Sequence, residues 1–164
     1  MIGEHVDTFP GLARRVGLAG FEIGNHSYSH PDLTRLSSAE IDDQLTRTNL
    51  AILRATGRRP TLLRPPYGAR DRRLDRIAAR SGLGEVLWDV DTLDWKHHDA
   101  EAVRRVVRRD VRRGSIVLLH DIQPTTVAAV PKLIAQLRRE RYTLVTVGEL
   151  IGKPVPGSLH FHAG

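Results

Sequence analysis

The sequence predicts an α/β protein with parallel strands, and two observations support that class. Short aliphatic runs alternate with longer segments of helical periodicity along the whole chain, which implies βαβ units with right-handed crossovers. The polar residues that could take part in catalysis or binding follow the aliphatic runs, as expected where strand-end loops carry the chemistry. The length of 164 residues, 40% of them hydrophobic, suits a single domain with a real core.

The first half of the chain predicts two helices and two strands. Ser37 and Glu40 form a capping-box signature that opens the longer helix, and Gly57 ends it. Pro65 and Pro66 end the second strand, because proline cannot continue a sheet ladder. In chain order we predict a helix over residues 9–19, a strand over 21–25, a helix over 37–56 and a strand over 61–64.

The second half repeats this alternation. Gly114 closes one helix, and Pro131 predicts a kink or a late start in another. The predicted domain covers residues 1–152, and the Pro/Gly-rich residues 153–164 are expected to form a flexible tail. We predict helices over residues 72–80, 100–112 and 125–139, and strands over 85–90, 115–119 and 144–147.

Composition excludes several classes of protein. The net charge of +6 comes mainly from arginines that are spread over several predicted helix faces. They lack interleaved aromatic residues for base stacking, so nucleic acid is not an expected partner. The absence of cysteine excludes disulfides. No apolar run reaches the roughly 18 residues of a membrane span, and Met1 does not open a secretory signal pattern.

A pair of histidines follows the first predicted strand. His26 and His30 are four positions apart, a spacing that places both rings on one face of a helical turn. Two imidazoles could share a divalent ion, although catalytic zinc sites usually have three protein ligands. The pair alone is equally compatible with two polar loop histidines.

Two further groups follow later strands. Arg64 precedes a rigid Pro-Pro-Tyr-Gly turn, and an arginine held there could orient a carboxylate. Asp91 follows the next strand and His120 the one after it, so adjacent parallel strands should bring these two side chains together. A carboxylate on one ring nitrogen would fix the tautomer of His120 and make it a suitable acid for a leaving amine.

Together these motifs resemble the polysaccharide deacetylases of carbohydrate esterase family 4. The residues that carry the resemblance are His26-Ser-Tyr-Ser-His30, Arg64-Pro-Pro-Tyr-Gly68, Asp91-Thr-Leu-Asp-Trp95 and Leu118-Leu-His120, in that order, which match the family's second to fifth motifs. The resemblance implies a distorted, incomplete (β/α) barrel and the hydrolysis of N-acetyl groups on amino-sugar polysaccharides. The N-acetylated polysaccharide would be chitin-like or peptidoglycan-like.

The resemblance also implies a role for each motif. His26 and His30 would be ligands of a divalent metal ion, most often zinc in this family. His120 would be the general acid, tuned by Asp91, and Arg64 would orient the catalytic base. The remaining residues would contact substrate: the Tyr67 N–H would stabilise the oxyanion, and Trp95 and Leu118 would wall the acetyl-methyl pocket.

The family's first motif, a strand ending in Thr-Phe-Asp-Asp-Gly-Pro, has no counterpart in this sequence. That motif supplies the base and the third metal ligand in the family, so we expect weak metal binding and impaired activity from this chain. We also expect an open sheet edge where the first strand would pair. An extracellular or cell-envelope location is expected for a full-length parent protein.

Two other functional classes remain open at this point. A non-catalytic relative that binds glycan would explain the missing motif, but it would not need the histidines and aspartates together. An amidohydrolase acting on a small non-glycan C–N bond could use the same scaffold, because one fold hosts many reactions.

Overall fold

The structure is a computed structural model that describes residues 1–163. These residues form two compact units, one containing residues 1–87 and 151–160, and the other residues 88–150 and 161–163. The helices are α1 (Gly3–Thr8), α2 (Pro10–Leu18), α3 (Ser38–Thr56), α4 (Arg72–Arg80), α5 (Asp94–His97), α6 (Ala100–Asp110), α7 (Pro124–Arg139) and α8 (Val147–Ile151). The strands are β1 (Leu62–Leu63), β2 (Gly84–Val86), β3 (Val90–Asp91), β4 (Val117–Leu118) and β5 (Leu159–His160).

The first unit is built on a three-stranded parallel sheet in the order β1-β2-β5. Leu63 pairs with Glu85, and Glu85 pairs in turn with Leu159. Helix α3 packs against α1, α2 and α4. The fully buried core beside the sheet consists of Leu33, Ile41, Leu45, Leu63, Leu74, Ile77, Ala78 and Leu83.

Helix α3 has the ends that its sequence predicts. The Ser37 side chain accepts a hydrogen bond from the Glu40 N–H, and the Glu40 carboxylate accepts one from the Ser37 N–H. Both reduce the number of unpaired N–H groups in the first turn. Gly57 ends the helix with a φ of 74°, a left-handed conformation that suits glycine. The capping box therefore correctly located this helix.

The second unit contains the parallel pair β3–β4, with Val90 opposite Val117 and Asp91 opposite Leu118. Helices α6 and α7 pack together through Val107, Leu133 and Leu137, which are all buried. Helix α7 begins at Pro124 and continues through Pro131, which is exposed. The predicted late start of this helix is therefore wrong.

The predicted α/β class with parallel strands is confirmed, but several predicted strands differ from the structure. Residues 21–25 form only an isolated parallel bridge between Asn25 and Leu63. The predicted strand 85–90 is divided into β2 and β3, and residues 144–147 form no strand. Part of the predicted flexible tail, Leu159–His160, is strand β5 of the first sheet. Among the described residues the strands form two parallel sheets and no closed barrel.

Within the described part of the chain, no helix combines the length and the hydrophobicity that a bilayer crossing requires.

A buried carboxyl group lies in the middle of the first sheet. Glu85 of β2 is 1% exposed, and its Oε2 atom lies 3.5 Å from the Arg70 Nε atom. Burial and the negative charge of Asp75 together raise the pKa of Glu85 to about 7, against the opposing positive charge of Arg70. Glu85 is therefore a strand residue whose ionisation opposes folding.

The raised pKa predicts how stability depends on pH. Neutral Glu85 makes its full contribution to the free energy of unfolding below its ordinary pKa of 4.5, and this contribution is lost as the pH rises through about 7. A Glu85→Gln variant avoids this loss, so its unfolding free energy relative to wild type should rise between pH 5 and pH 8. The upper limit of that rise is about 3 kcal/mol. Urea denaturation of both proteins at each pH measures it, and a constant difference would contradict the prediction.

Candidate functional site

In the first unit, the segment that carries the two predicted metal ligands is held by a buried amide. The Asn25 side chain donates hydrogen bonds to the Leu45 carbonyl oxygen at 2.9 Å and to Asn49 Oδ1 at 2.8 Å. Its own Oδ1 accepts a hydrogen bond from the Ser27 N–H at 2.9 Å. The residue directly before His26 is thus anchored to helix α3 by two hydrogen bonds, and a third joins it to Ser27 in the same segment.

His26 has a defined ring orientation. Its Nδ1 atom lies 2.5 Å from the Arg64 carbonyl oxygen. Because a carbonyl oxygen only accepts, Nδ1 carries the proton and Nε2 keeps its lone pair. Burial and the nearby positive charge of Arg64 lower the pKa of His26 to about 3, against the opposing effect of the Arg64 carbonyl. The ring is therefore neutral at physiological pH, the form in which imidazole binds a metal ion.

The structure brings His26 and His30 together, although not through a helical turn. Their ring centroids are 4.8 Å apart in an edge-to-face arrangement. The backbone between them turns through left-handed conformations at Ser27 and His30, each with a φ of 61°. Ser27 Oγ accepts a hydrogen bond from the His30 N–H at 3.0 Å and closes this turn.

The two imidazoles suit a divalent ion as nitrogen donors. Within residues 1–163, no group of three or more His, Cys, Asp or Glu side chains is placed to hold a metal ion. Metal binding by this pair therefore stays a prediction.

The turn from Arg64 to Gly68 follows strand β1 and lies beside the histidines. The Arg64 N–H donates to the Asn25 carbonyl oxygen at 2.9 Å, and the Tyr67 ring packs edge-to-face on His30 with centroids 4.9 Å apart. Tyr67 has a φ of 60°, which is uncommon for a residue with a Cβ atom. In the first unit, the described non-glycine residues with positive φ are Ser27, His30 and Tyr67, so its backbone strain is concentrated in these two motifs.

An open cleft borders this turn in the first unit. Its volume is about 480 Å³, and it is lined by Pro31, Asp32, Arg35, Leu36 and Tyr67. The Tyr67 side chain is 71% exposed beside it. A polar and aromatic surface of this kind is suited to a sugar ring, because the ring face can contact apolar groups while its hydroxyls bond to the charged ones.

In the second unit, His120 is bound by Asp94 and not by Asp91, which corrects the prediction. The His120 Nδ1 atom lies 2.8 Å from Asp94 Oδ1, and the His120 N–H donates to Asp94 Oδ2 at 2.7 Å. Thr126 Oγ1 donates to the same Oδ2 at 2.7 Å. Asp91 instead accepts a hydrogen bond from the Leu93 N–H at 2.9 Å. The physical reason is the turn at Leu93, with a φ of 52°, from which helix α5 starts at Asp94.

The surroundings of Asp94 keep it ionised. Its side chain is completely buried, and burial opposes ionisation, but the hydrogen bonds from His120 and Thr126 outweigh burial and leave the pKa of Asp94 below its ordinary value. An ionised carboxylate on Nδ1 fixes the proton there and leaves Nε2 as the reactive atom of His120.

The two predicted pocket-wall residues, both in the second unit, differ in exposure. Trp95 follows Asp94 in helix α5 and is half exposed, whereas Leu118 in strand β4 is buried. The Leu118 carbonyl oxygen accepts a hydrogen bond from Thr92 Oγ1 at 2.8 Å. Only Trp95 thus offers a large accessible side chain.

Sequence analysis did not identify Asn25 or Thr126 as site residues. Each fixes a motif from within the core, and an isolated Asn or Thr carries no sequence signal for such a role. Asp94 lies in the same motif as Asp91, and the spacing alone could not distinguish the two carboxylates.

The Asn25 network predicts a large stability effect. An Asn25→Ala substitution removes the buried partner of Asn49 Oδ1 and of the Ser27 N–H, while the Leu45 carbonyl oxygen keeps its place in the hydrogen bonding of helix α3. The unfolding free energy should therefore fall by about 3 kcal/mol. Chemical denaturation measures the loss. Thr8→Ala removes an exposed hydroxyl that bonds to the Glu4 carbonyl oxygen and should change stability by less than about 0.5 kcal/mol. Equal effects of the two substitutions would contradict the structural role of Asn25.

Parallel strands followed by ordered imidazoles place this chain among the α/β proteins whose chemistry lies in strand-end loops. The chain belongs to the polysaccharide deacetylase family, whose model matches residues 1–86. It is 39% identical over 153 residues to the peptidoglycan-N-acetylglucosamine deacetylase PgdA of Listeria monocytogenes. That match covers 93% of this chain but 32% of the relative, so the chain spans about a third of the relative's length.

Two solved structures are similar over nearly the whole chain. The T48 deacetylase with substrate has a TM-score of 0.91 and 40% identity, covering 97% of this chain and 79% of that one. A pseudoenzyme of carbohydrate esterase family 4 from Bacillus anthracis has a TM-score of 0.87 and 34% identity, covering 97% of this chain and 57% of that one. These similarities confirm the deacetylase-type α/β fold.

Proposed function

We propose that this protein is a metal-dependent hydrolase that removes N-acetyl groups from amino-sugar polysaccharides. The observation that carries the proposal is the His120–Asp94 pair, in which a buried carboxylate orients an imidazole. Hydrolysis of an amide requires a proton for the departing amine, and an imidazole held in this way is a suitable donor. The named function of PgdA supports an amino sugar as the substrate.

Metal binding is assigned to His26 and His30. Both are nitrogen donors, His26 is neutral, and its Nε2 atom is left available by the hydrogen bond at Nδ1. A bound divalent ion, which we propose to be zinc, would polarise the acetyl carbonyl group and lower the pKa of a water molecule.

The remaining residues bind, orient and transfer a proton. In its protonated form, with a proton on each ring nitrogen, His120 would give its Nε2 proton to the leaving amine as the C–N bond breaks, while Asp94 holds Nδ1. The Tyr67 N–H would donate to the oxyanion, and Arg64 would orient a catalytic carboxylate. Trp95 and Leu118 would form the walls around the acetyl methyl group. Asp91 is assigned to shaping the turn before Asp94, in agreement with its hydrogen bond to Leu93.

We further propose that the 164-residue chain alone works weakly. The base and the third ligand that the family takes from its Asp-Asp motif have no counterpart in the sequence, and residues 1–163 contain no three-ligand group. The parent activity would be directed at the glycan of a cell envelope.

Acetate release tests the proposal. The full-length protein is incubated with N-acetylglucosamine oligomers or with peptidoglycan glycan strands, with added zinc or with a chelator, and a small cyclic amide serves as the alternative substrate. We expect zinc-dependent acetate release from the glycans that His120→Ala removes. Hydrolysis of the cyclic amide in preference to both glycans would instead support an amidohydrolase.

The similarity to a pseudoenzyme favours a second candidate, a non-catalytic relative that binds glycan. Two results together would support this alternative and contradict the first proposal: calorimetry shows glycan binding, and the full-length protein releases no acetate in the presence of zinc.

A further inference from the structure

Three charged side chains of the first unit meet at the end of the Arg64–Gly68 turn. Arg70, two residues beyond the turn, lies 2.8 Å from Asp75 Oδ2 through its Nη2 atom and 3.5 Å from Glu85 Oε2 through its Nε atom. Asp75 belongs to helix α4 and Glu85 to strand β2. We call Arg70, Asp75 and Glu85 the anchor cluster.

The anchor cluster is joined to the turn from two directions. Glu85 pairs in the sheet with Leu63, the residue directly before Arg64. Arg70 follows the C-terminal end of the turn, and its side chain contacts Glu85 in strand β2. Strand β2 pairs with β1, which leads into the N-terminal end of the turn. The N-terminal end of the turn is also held by the Arg64 N–H, which donates a hydrogen bond to the Asn25 carbonyl oxygen.

Stability alone does not explain the anchor cluster. Arg70 Nε, Asp75 Oδ1 and Glu85 Oε2 are buried without a hydrogen-bond partner. A buried ion pair with unsatisfied atoms is often less stabilising than apolar residues of similar size. Burial also raises the pKa of Glu85, so its negative charge is present above pH 7 against the preference of the fold.

The turn that the cluster holds needs external support. Tyr67 has a φ of 60°, and strained backbone persists only where the surrounding structure determines it. The hydrogen bonds within the turn run from the Gly68 N–H to the Pro65 carbonyl oxygen at 3.2 Å and from the Ala69 N–H to the Pro66 carbonyl oxygen at 3.1 Å. Both are local, so the position of the turn depends on its two ends.

We propose that Glu85, acting through Arg70 and together with Asp75, is a positioning residue that holds the Arg64–Gly68 turn in its working geometry. The cluster touches no reacting atom. Its contribution to catalysis rests on the proposed function, in which the Tyr67 N–H and Arg64 act on substrate and base. Its contribution to the order of the turn does not depend on that function.

The test uses Glu85→Gln at pH 8, with Arg70→Lys as a second variant that retains the positive charge. Hydrogen exchange of the Gly68 and Ala69 amides reports on the turn, and we expect it to accelerate about tenfold while global stability is not lowered. In the full-length protein, kcat for acetate release should fall about tenfold while KM stays within about twofold of wild type, because small displacements of positioning groups reduce the rate. Asp43→Asn is the matched control, since it neutralises a carboxylate in an exposed pair with Arg47.

Each outcome decides the proposal. Unchanged exchange at Gly68 and Ala69 in both variants would overturn it, as would a fall in global stability that accelerates exchange equally throughout the first unit. Faster exchange at the turn with an unchanged kcat would overturn the catalytic contribution. If the wild-type protein releases no acetate, the proposed function fails, whereas the exchange comparison still decides whether the cluster positions the turn.

Discussion

Replacing Asp94 with asparagine should lower kcat for deacetylation about 100-fold or more, within the range that positioned general acids contribute. The carboxylate accepts from His120 Nδ1, from the His120 N–H and from Thr126 Oγ1. An amide has one oxygen, so its NH₂ group must face at least one of these donors. It also lacks the negative charge that stabilises a protonated imidazole. Steady-state acetate release measures the change.

Asp91→Asn is the matched control for this prediction. Asp91 lies three residues earlier in the same motif, and its contact is with the Leu93 N–H, which an asparagine oxygen also accepts. We expect kcat within about threefold of wild type. A larger loss from Asp91→Asn than from Asp94→Asn would show that Asp91 is the tuning carboxylate after all.

Replacing His26 with alanine should weaken zinc binding by about 100-fold or more, because it removes a proposed direct ligand, and even residues that only support a ligand contribute about 10- to 100-fold to metal affinity. His26 is preorganised for this role, with Nδ1 fixed on the Arg64 carbonyl oxygen and the ring neutral. Competition with a chromophoric chelator measures the affinity of the 164-residue chain, and it requires no catalytic activity.

The control for the metal-binding prediction is His5→Ala. The His5 side chain is 63% exposed and lies beside Glu4, so its loss should leave zinc affinity within about twofold. If His26→Ala and His5→Ala weaken binding equally, or neither does, His26 is not a metal ligand.

Local sequence signals predicted much of the fold. The capping box at Ser37 and Glu40 and the glycine at position 57 located helix α3, because these residues satisfy the helix ends whatever the rest of the chain does. Helix α4 has the predicted bounds of residues 72–80. Strand bounds were less accurate, since hydrogen bonds to a distant partner decide where a strand ends. Residues 85–90 are predicted as one strand, and the structure divides them between two sheets.

The sequence alone determined the α/β class, the family and the order of the motifs, because periodicity, caps and motif residues are properties of neighbours along the chain. Only the tertiary structure decided that Asp94 binds His120 in place of Asp91, that Asn25 anchors the histidine segment, and that Glu85 lies buried beside Arg70. These contacts join residues far apart in sequence. A left-handed turn at Leu93 or a strand register at Leu63 selects the partner, and neither can be obtained from residue spacing.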